Sequence, residues 1–256
     1  MPTKPQLPAT RRRFLQAAVS PVVSAPFLAV VGAAPSPEEE KIGALTKRAE
    51  PVTWVLTGDS ITHGALHTNG WRSYPEHFAE RIRWELGRVR DVVINTGISG
   101  DRVPGLQADL EHRVLRFKPD VVSIMMGMND ASAGEAGRED FRSAYNRLVE
   151  TLEAETDATI LLHTPNPITP AASGRADLPA YSQIVREVAE AHGTALVDQE
   201  RLWNEYLREE KTDLNYLLAD GTIHPNEYGH ILFAHILFKA LGIFDPASNV
   251  CRLFVP

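Results

Sequence analysis

The sequence lacks the features of several protein classes. It has one cysteine, Cys251, so no disulfide can form within the chain and the fold must be held by its hydrophobic core. Basic residues are also too few to neutralise phosphates: 26 Lys and Arg stand against 33 Asp and Glu, the formal net charge is −7, and no basic cluster lies in the body of the chain. These features argue against a disulfide scaffold and against a nucleic-acid-binding protein.

Residues 1–34 differ in composition from the rest. They contain Lys4 and Arg11–Arg13, no acid, and then an apolar stretch from Ala17 to Val31, which is too short for a comfortable membrane span. The string "TRRRFLQ" resembles a twin-arginine signal, which implies folding in the cytoplasm, transfer by the twin-arginine translocation machinery, and a periplasmic or extracellular location. The small residues Gly32–Ala34 suit signal peptidase, and retention of the uncleaved segment as an anchor is the alternative.

The remaining chain is long enough for one main domain. Residues 35–50 are charged and begin with two prolines, which predicts a linker or a loosely docked lead-in. We expect the folded domain over 51–245 and a C-terminal tail over 246–256. At 256 residues with 43% hydrophobic composition, the chain supports one sizeable core rather than two large domains.

Apolar runs alternate with amphipathic segments through the expected domain. This alternation predicts an α/β fold, a three-layer α/β/α sandwich around a five-stranded, mainly parallel sheet. The expected strands are 52–58, 92–97, 120–127, 159–165 and 194–199, all buried, and the expected helices are 74–87, 104–117, 139–155, 179–192 and about 225–241. In such sheets ligands bind at the carboxyl ends of the strands.

Four short motifs follow the expected strands or precede the last helix: "GDSIT", "NTGISGD", "GMND" and "ADGTIHPNEYGH". Together, over roughly residues 52 to 240, they resemble the SGNH hydrolases, or GDSL esterase/lipase family, of flavodoxin-like fold. The resemblance implies that Ser60 is the nucleophile and His224 the catalytic base. It also implies that Gly97 and Asn129, with the backbone N–H of Ser60, form the oxyanion hole.

These residue types suit acyl transfer. A serine hydroxyl becomes a good nucleophile when an imidazole with a pKa near neutrality takes its proton, as His224 would from Ser60. Negative charge then collects on the carbonyl oxygen, and loss of one fixed donor to it costs about 2.7–4 kcal/mol. Taken singly, Ser60 could instead be a helix N-cap and Asn129 a turn residue, but four motifs in order favour the catalytic interpretation.

The third member of the triad is left open by the sequence. In most of the family an aspartate stands three residues before the histidine, whereas Asp220 stands four before His224, with Gly221 at the usual place. We predict Asp220, because a glycine in the loop can absorb the extra residue. The alternatives are a Ser–His dyad completed by a backbone carbonyl, or a carboxylate from Asp198 or Asp213.

Other polar residues near the motifs have weaker claims. Asp59 is expected to bond local backbone, and the alternative is a contribution to substrate binding. Arg102 could reach polar groups of the substrate or stay in an exposed ion pair. His63 and His67 have a spacing that could hold a metal on a helix. The resemblance implies a mechanism with neither metal nor cofactor.

The sequence therefore predicts an exported serine esterase acting through an acyl-serine intermediate. No long apolar insertion is available as a lipid-binding lid, so an acetyl ester of a carbohydrate is the expected substrate, as a small molecule or a polysaccharide. The alternatives are a lipid-directed esterase (lysophospholipase or arylesterase), an acyltransferase, a carbohydrate-binding protein that kept the fold, and a metal-dependent phosphoesterase. Neither nucleic acid nor, after cleavage of the signal, a membrane is an expected partner.

Overall fold

The structure is a computed structural model that describes residues 37–256. Five strands form one sheet: β1 (Thr53–Gly58), β2 (Val92–Asn95), β3 (Val121–Met125), β4 (Thr159–His163) and β5 (Ala195–Val197). Their order is β2-β1-β3-β4-β5, and every neighbouring pair is parallel. The predicted five-stranded parallel sheet is confirmed. The signal segment predicted over residues 1–34 lies outside the described residues.

The strands are not equally buried. β1, β3 and β4 are almost wholly buried, whereas β2 is half exposed along its length and Val92 retains 49% of its accessible surface. The expectation that all five strands are buried is therefore wrong for β2. β2 is less covered because it lies at the edge of the sheet and pairs with β1 alone, and only its middle residues, Val93 and Ile94, pack against the core.

Helices cover both faces of the sheet. α6 packs against α4 and α7, and α9 packs against α3 and α8, which gives the predicted three-layer sandwich. The helices are α1 (Pro37–Leu45), α2 (Ser60–His63), α3 (Tyr74–Glu80), α4 (Val103–Ala108), α5 (Leu110–Arg113), α6 (Arg138–Glu155), α7 (Leu178–His192), α8 (Gln199–Glu210) and α9 (Glu227–Ala240). Within residues 37–256, no helix is both long and apolar enough to cross a membrane.

Both ends of the described chain are more ordered than the sequence suggested. The segment expected as a linker, 35–50, contains helix α1, whose Ile42 is fully buried. The tail contains a 3-10 turn, Val250–Arg252, and the carbonyl of Val250 lies 3.0 Å from His235 Nε2. Cys251 is buried there as a free thiol. The packed structure therefore extends beyond the expected boundaries at 51 and 245.

Two expected boundaries also shift within the domain. The last strand was expected to reach residue 199, but β5 ends at Val197, and the carboxylate of Asp198 accepts a hydrogen bond from Arg201 N to cap α8. The single helix expected over 104–117 is divided into α4, α5 and a 3-10 turn. The helical direction is broken at Asp109 and Val114, whose φ angles are −113° and −131°.

Candidate active site

The four motifs meet at the carboxyl ends of the strands. β1 and β3 are paired in parallel, with Gly58 opposite Met125, so the residues that follow them leave the sheet side by side. Ser60 follows β1 by two residues and Asn129 follows β3 by four. The loop before α9 brings His224 to the same place, where its Nε2 lies 2.9 Å from Ser60 Oγ. Parallel strand order thus assembles side chains that are distant in sequence.

Ser60 begins a helix but does not cap it. The N-cap of α2 is Asp59, whose Oδ1 accepts a 2.9 Å hydrogen bond from the backbone N–H of Ile61. Ser60 is the first helical residue and keeps 7% of its surface accessible. The capping function that a serine could have had here therefore belongs to its neighbour, and the Ser60 hydroxyl is directed to His224.

The histidine is held from its other side by Asp220. His224 Nδ1 lies 2.5 Å from Asp220 Oδ2, and Asp220 Oδ1 accepts backbone hydrogen bonds from Thr222, Ile223 and His224 at 2.8, 2.9 and 3.2 Å. Gly221 has φ of +67°, a conformation that suits glycine and accommodates the additional residue of the loop. Burial opposes ionisation of Asp220, but the hydrogen bonds from His224 and the backbone outweigh it and hold its pKa well below the usual range.

The other two candidate carboxylates are engaged elsewhere. Asp198 accepts hydrogen bonds from Arg186 Nε at 2.9 Å and Arg186 Nη2 at 2.8 Å. Asp213 accepts from Asn215 N at 2.8 Å and caps the 3-10 turn Leu214–Leu217. Of the three, Asp220 is the carboxylate that the structure brings to His224.

Asn129 is oriented by contacts on both ends of its amide. Its Nδ2 donates to the carbonyl of Asp101 at 3.0 Å, and its Oδ1 accepts from Arg175 Nη2 at 3.1 Å. Arg175 is in turn fixed by donation from its Nε to the carbonyl of Met128 at 2.9 Å. The amide orientation is thus set, and the second N–H of Asn129 remains for a substrate oxygen. Sequence reasoning missed Arg175, because it follows β4 in no recognisable motif.

The N–H of Gly97, expected as an oxyanion donor, already has a hydrogen-bond partner in the structure. The N–H of Gly97 donates to Asn95 Oδ1 at 2.9 Å, and a side chain at this position would place its Cβ 2.5 Å from the backbone nitrogen of His63. Gly97 is therefore a site of close packing against α2, and its donor is already used. Gly100 has φ of +81°, an added Cβ there would meet no atom within 4 Å, and it precedes Asp101, the residue whose carbonyl contacts Asn129.

A buried arginine holds this turn to the sheet. Arg113 is ion-paired with Asp101 and donates to the carbonyls of Gly58 and Thr96 at 3.1 Å each. A third contact, at 3.1 Å, joins it to Thr57 Oγ1. Arg113 thus ties the ends of β1 and β2 to the turn that carries Gly100, which fixes the turn relative to Ser60.

Two further acidic groups are buried near the site. Burial raises the pKa of Asp59 to about 7, with the charge of Asp130 adding to the effect and the bond from Ile61 opposing it. Burial likewise raises the pKa of Asp130 to about 6, although the N–H of Val103 donates to its Oδ1 at 3.1 Å. Asp59 bonds local backbone as expected. Arg102 is exposed and donates to Ser132 Oγ at 2.8 Å, and its contact with substrate stays a prediction.

His63 and His67, whose spacing could hold a metal ion, contact different partners in the structure. His63 Nδ1 lies 3.0 Å from Ser99 Oγ, whereas His67 lies beyond the end of α2 and stacks on His224, with ring centroids 3.5 Å apart and planes 8° from parallel. Among residues 37–256, the side chains close enough to share a metal ion are His67, Asp220 and His224, whose ligand-type atoms lie within 4.8 Å of one another. Asp220 and both nitrogens of His224 are already hydrogen-bonded to each other or to Ser60.

Comparison with known proteins agrees with this geometry. Residues 56–232 match the model of the GDSL-like Lipase/Acylhydrolase family. A relative named acetylxylan esterase, from Geobacillus stearothermophilus, is 31% identical over 213 residues, covering 73% of this chain and 93% of the relative.

Solved structures give the same picture. An alpha/beta hydrolase enzyme from the metagenome of Lake Arreo, Spain, has a TM-score of 0.67 at 27% identity, covering 78% of this chain and 99% of that one. A catalytic mutant of an acetylxylan esterase from Geobacillus stearothermophilus has a TM-score of 0.64 at 25% identity, covering 77% and 96%. Catalytic mutants of that enzyme replace an aspartate, a histidine and a serine by alanine.

Proposed function

Because the chain belongs to the GDSL-like lipase/acylhydrolase family and is an esterase, we propose that it is an exported enzyme that removes acetyl groups from a carbohydrate polymer. The observation that carries the proposal is the hydrogen-bonded chain from Ser60 through His224 to Asp220. The similarity of the protein, over most of its length, to an acetylxylan esterase supports an acetylated xylan as the first substrate to test.

In the acylation step, Ser60 Oγ attacks the ester carbonyl as its proton passes to His224 Nε2, 2.9 Å away. The new Oγ–carbon bond forms, the tetrahedral intermediate collapses, and the alcohol leaves with the proton from His224. Asp220 holds the Nδ1 proton of His224 and stabilises the imidazolium that forms. In deacylation a water molecule gives a proton to His224 and attacks the acyl-serine carbonyl. The bond to Ser60 Oγ then breaks, Ser60 regains its proton from His224, and acetate is released.

The oxyanion that forms when Ser60 attacks the ester needs fixed N–H donors. We assign the free N–H of the Asn129 amide and the backbone N–H of Ser60 to this role, and Gly100 rather than Gly97 as the third donor, because the N–H of Gly97 already bonds Asn95. A structure with a phosphonate bound to Ser60 tests the assignment. The backbone nitrogen 2.7–3.1 Å from the phosphonyl oxygen is the donor, and Gly97 at that distance would overturn the choice.

The activity test uses p-nitrophenyl acetate, butyrate, octanoate and palmitate, with acetate release from acetylated xylan and pectin in parallel. We expect the acetyl ester to be hydrolysed fastest, and Ser60→Ala to abolish turnover. Ser248→Ala, in the C-terminal tail, is the matched control and keeps wild-type rates.

The other outcomes separate the alternatives. A preference for octanoate or palmitate places the enzyme among lipid-directed esterases, and transfer of acetyl to an added alcohol faster than to water identifies an acyltransferase. Undiminished hydrolysis by Ser60→Ala would show that another residue is the nucleophile. A binding protein that kept the fold would turn over none of the esters.

The export part of the proposal rests on the N-terminal sequence alone. Arginines 11 and 12 precede the Phe-Leu pair as in twin-arginine signals. We expect the double variant Arg11→Lys, Arg12→Lys to leave esterase activity in the cytoplasmic fraction, whereas the wild-type chain delivers it outside. Equal distribution of the two proteins would contradict this route.

A further inference from the structure

The loop that follows the nucleophile is closed at its base and strained at its tip. Gly64 and Ser73 lie so close that a side chain on Gly64 would overlap the Ser73 side chain. Between them, Leu66 has φ of +65° and the N–H of His67 donates to the carbonyl of Ala65 at 2.7 Å, which forms a γ-turn. A positive φ at a leucine is uncommon and persists where surrounding structure imposes it.

The γ-turn places His67 against the face of His224. The two rings are stacked with centroids 3.5 Å apart and planes 8° from parallel. Both ring nitrogens of His224 are already used, Nε2 by Ser60 and Nδ1 by Asp220. The side chain of His224 remains only 15% exposed. The ring of His224 is therefore held in its plane by hydrogen bonds and covered on one face by His67.

The charge state of His67 suits this position. Burial and the neighbouring His224 both lower the pKa of His67, and the carboxylate of Asp220 opposes them. An uncharged His67 offers an aromatic face to His224, and such a face favours a cation lying against it. His224 carries that cation only while it holds the proton of Ser60, so the contact is strongest when the barrier is crossed.

We propose that His67 is a positioning residue for the proposed esterase reaction: its ring stacks on His224, keeps the imidazole aligned between Ser60 and Asp220, and stabilises the imidazolium of the transition state. The inference rests on the proposed function, because it assigns His224 as the catalytic base. It predicts an effect on kcat that depends on an aromatic ring at residue 67.

The test compares His67→Ala with His67→Phe on p-nitrophenyl acetate. We expect His67→Ala to lower kcat about tenfold, as a contact selective for the cation should, with KM within about twofold of wild type. His67→Phe restores most of kcat because it keeps the stack without a titratable group. His112→Ala removes an exposed histidine on α5 and serves as the control.

Each other result overturns the inference. Unchanged kcat in His67→Ala shows that the stack has no role, equal losses in the alanine and phenylalanine variants show that the ring is not what matters, and a change confined to KM indicates a substrate contact instead. A wild-type protein inactive on every ester would count against the proposed function, not against the stack.

A second readout reports on alignment directly. The Nδ1 proton of His224, held between imidazole and Asp220, is expected to give a low-field proton NMR signal in wild type and in His67→Phe. The same signal should broaden or disappear in His67→Ala, because an uncovered ring can leave its plane and exchange the proton with water. A sharp, unshifted signal in His67→Ala would overturn the positioning role.

Discussion

At the scale of single residues, the active site depends on how fully Asp220 is bonded. One oxygen of its carboxylate faces His224 and the other accepts three backbone hydrogen bonds. These contacts keep the group ionised and fix its direction. A neutral amide in the same place would offer either an oxygen or an N–H to His224 Nδ1. An N–H would favour the tautomer that carries its proton on Nε2, and that tautomer cannot accept the proton of Ser60.

Asp220→Asn is therefore expected to lower kcat by about 10³–10⁴-fold, with much less change in KM. Steady-state kinetics on p-nitrophenyl acetate measures this loss, with circular dichroism to verify folding. Asp213→Asn is the matched control, because Asp213 only caps the 3-10 turn Leu214–Leu217. Comparable kcat values for the two variants would show that His224 works without Asp220, as a Ser–His dyad would.

Residues in the motifs could be predicted from the sequence, and residues that act through contact could not. Ser60 and His224 were named from their motifs, and the structure brings them within hydrogen-bonding distance. Arg175 and His67 hold Asn129 and His224 through contacts between segments far apart in the chain, and no spacing in the sequence encodes such contacts. The choice between Gly97 and Gly100 likewise depends on which backbone N–H the fold leaves unbonded.

At the scale of elements, helix α1 is part of the packed domain. Gly43 lies against the carbonyl of Leu241 so closely that a Cβ would be 2.8 Å from it, and Ile42 is fully buried. The charged sequence "PSPEEEK" obscured this, because a single buried isoleucine among acids gives little periodic signal. Helix α8 was not predicted from the sequence either, for a different reason. Its capping residue, Asp198, directly follows β5, and the expected strand extended over it to residue 199.

Ile42→Ala is expected to lower the free energy of unfolding by about 2–5 kcal/mol, the cost of removing a buried isoleucine side chain. Urea denaturation followed by fluorescence measures it, and kcat should stay at the wild-type value because α1 packs against β5 and Leu241, which are not part of the triad. Glu40→Ala, an exposed change on the same helix, is the control. An effect below about 0.5 kcal/mol would show that α1 is not docked in solution.

At the scale of the whole molecule, the buried acids near the active site make stability depend on pH. The folded protein raises the pKa of Asp59 from 3.8 to about 7, so it keeps a proton that the unfolded chain loses at lower pH. The folded state then binds more protons between these values, and its stability falls as pH rises through them. Above about pH 7, Asp59 is ionised in both states, and burial of its charge then lowers the free energy of unfolding by its full amount.

We expect Asp59→Asn to remove much of this dependence, which for one group amounts to at most about 1.4 kcal/mol per pH unit. The amide still accepts from Ile61, so the cap of α2 is kept. Urea titrations at pH 5 and pH 8 should show wild type losing more stability than the variant, with Asp213→Asn behaving as wild type. Equal losses in wild type and Asp59→Asn would contradict the assignment.

The fold class could be predicted at this scale because strands and helices alternate regularly along the sequence. The strand order β2-β1-β3-β4-β5 was not predicted and comes from the structure. The edges of that sheet have a consequence for behaviour in concentrated solution. The outermost strands, β2 and β5, are four and three residues long, against six for β1. Short edges give a neighbouring chain few open backbone groups to pair with, so molecules of this enzyme have little means of adding strand to strand and should remain dispersed at high concentration.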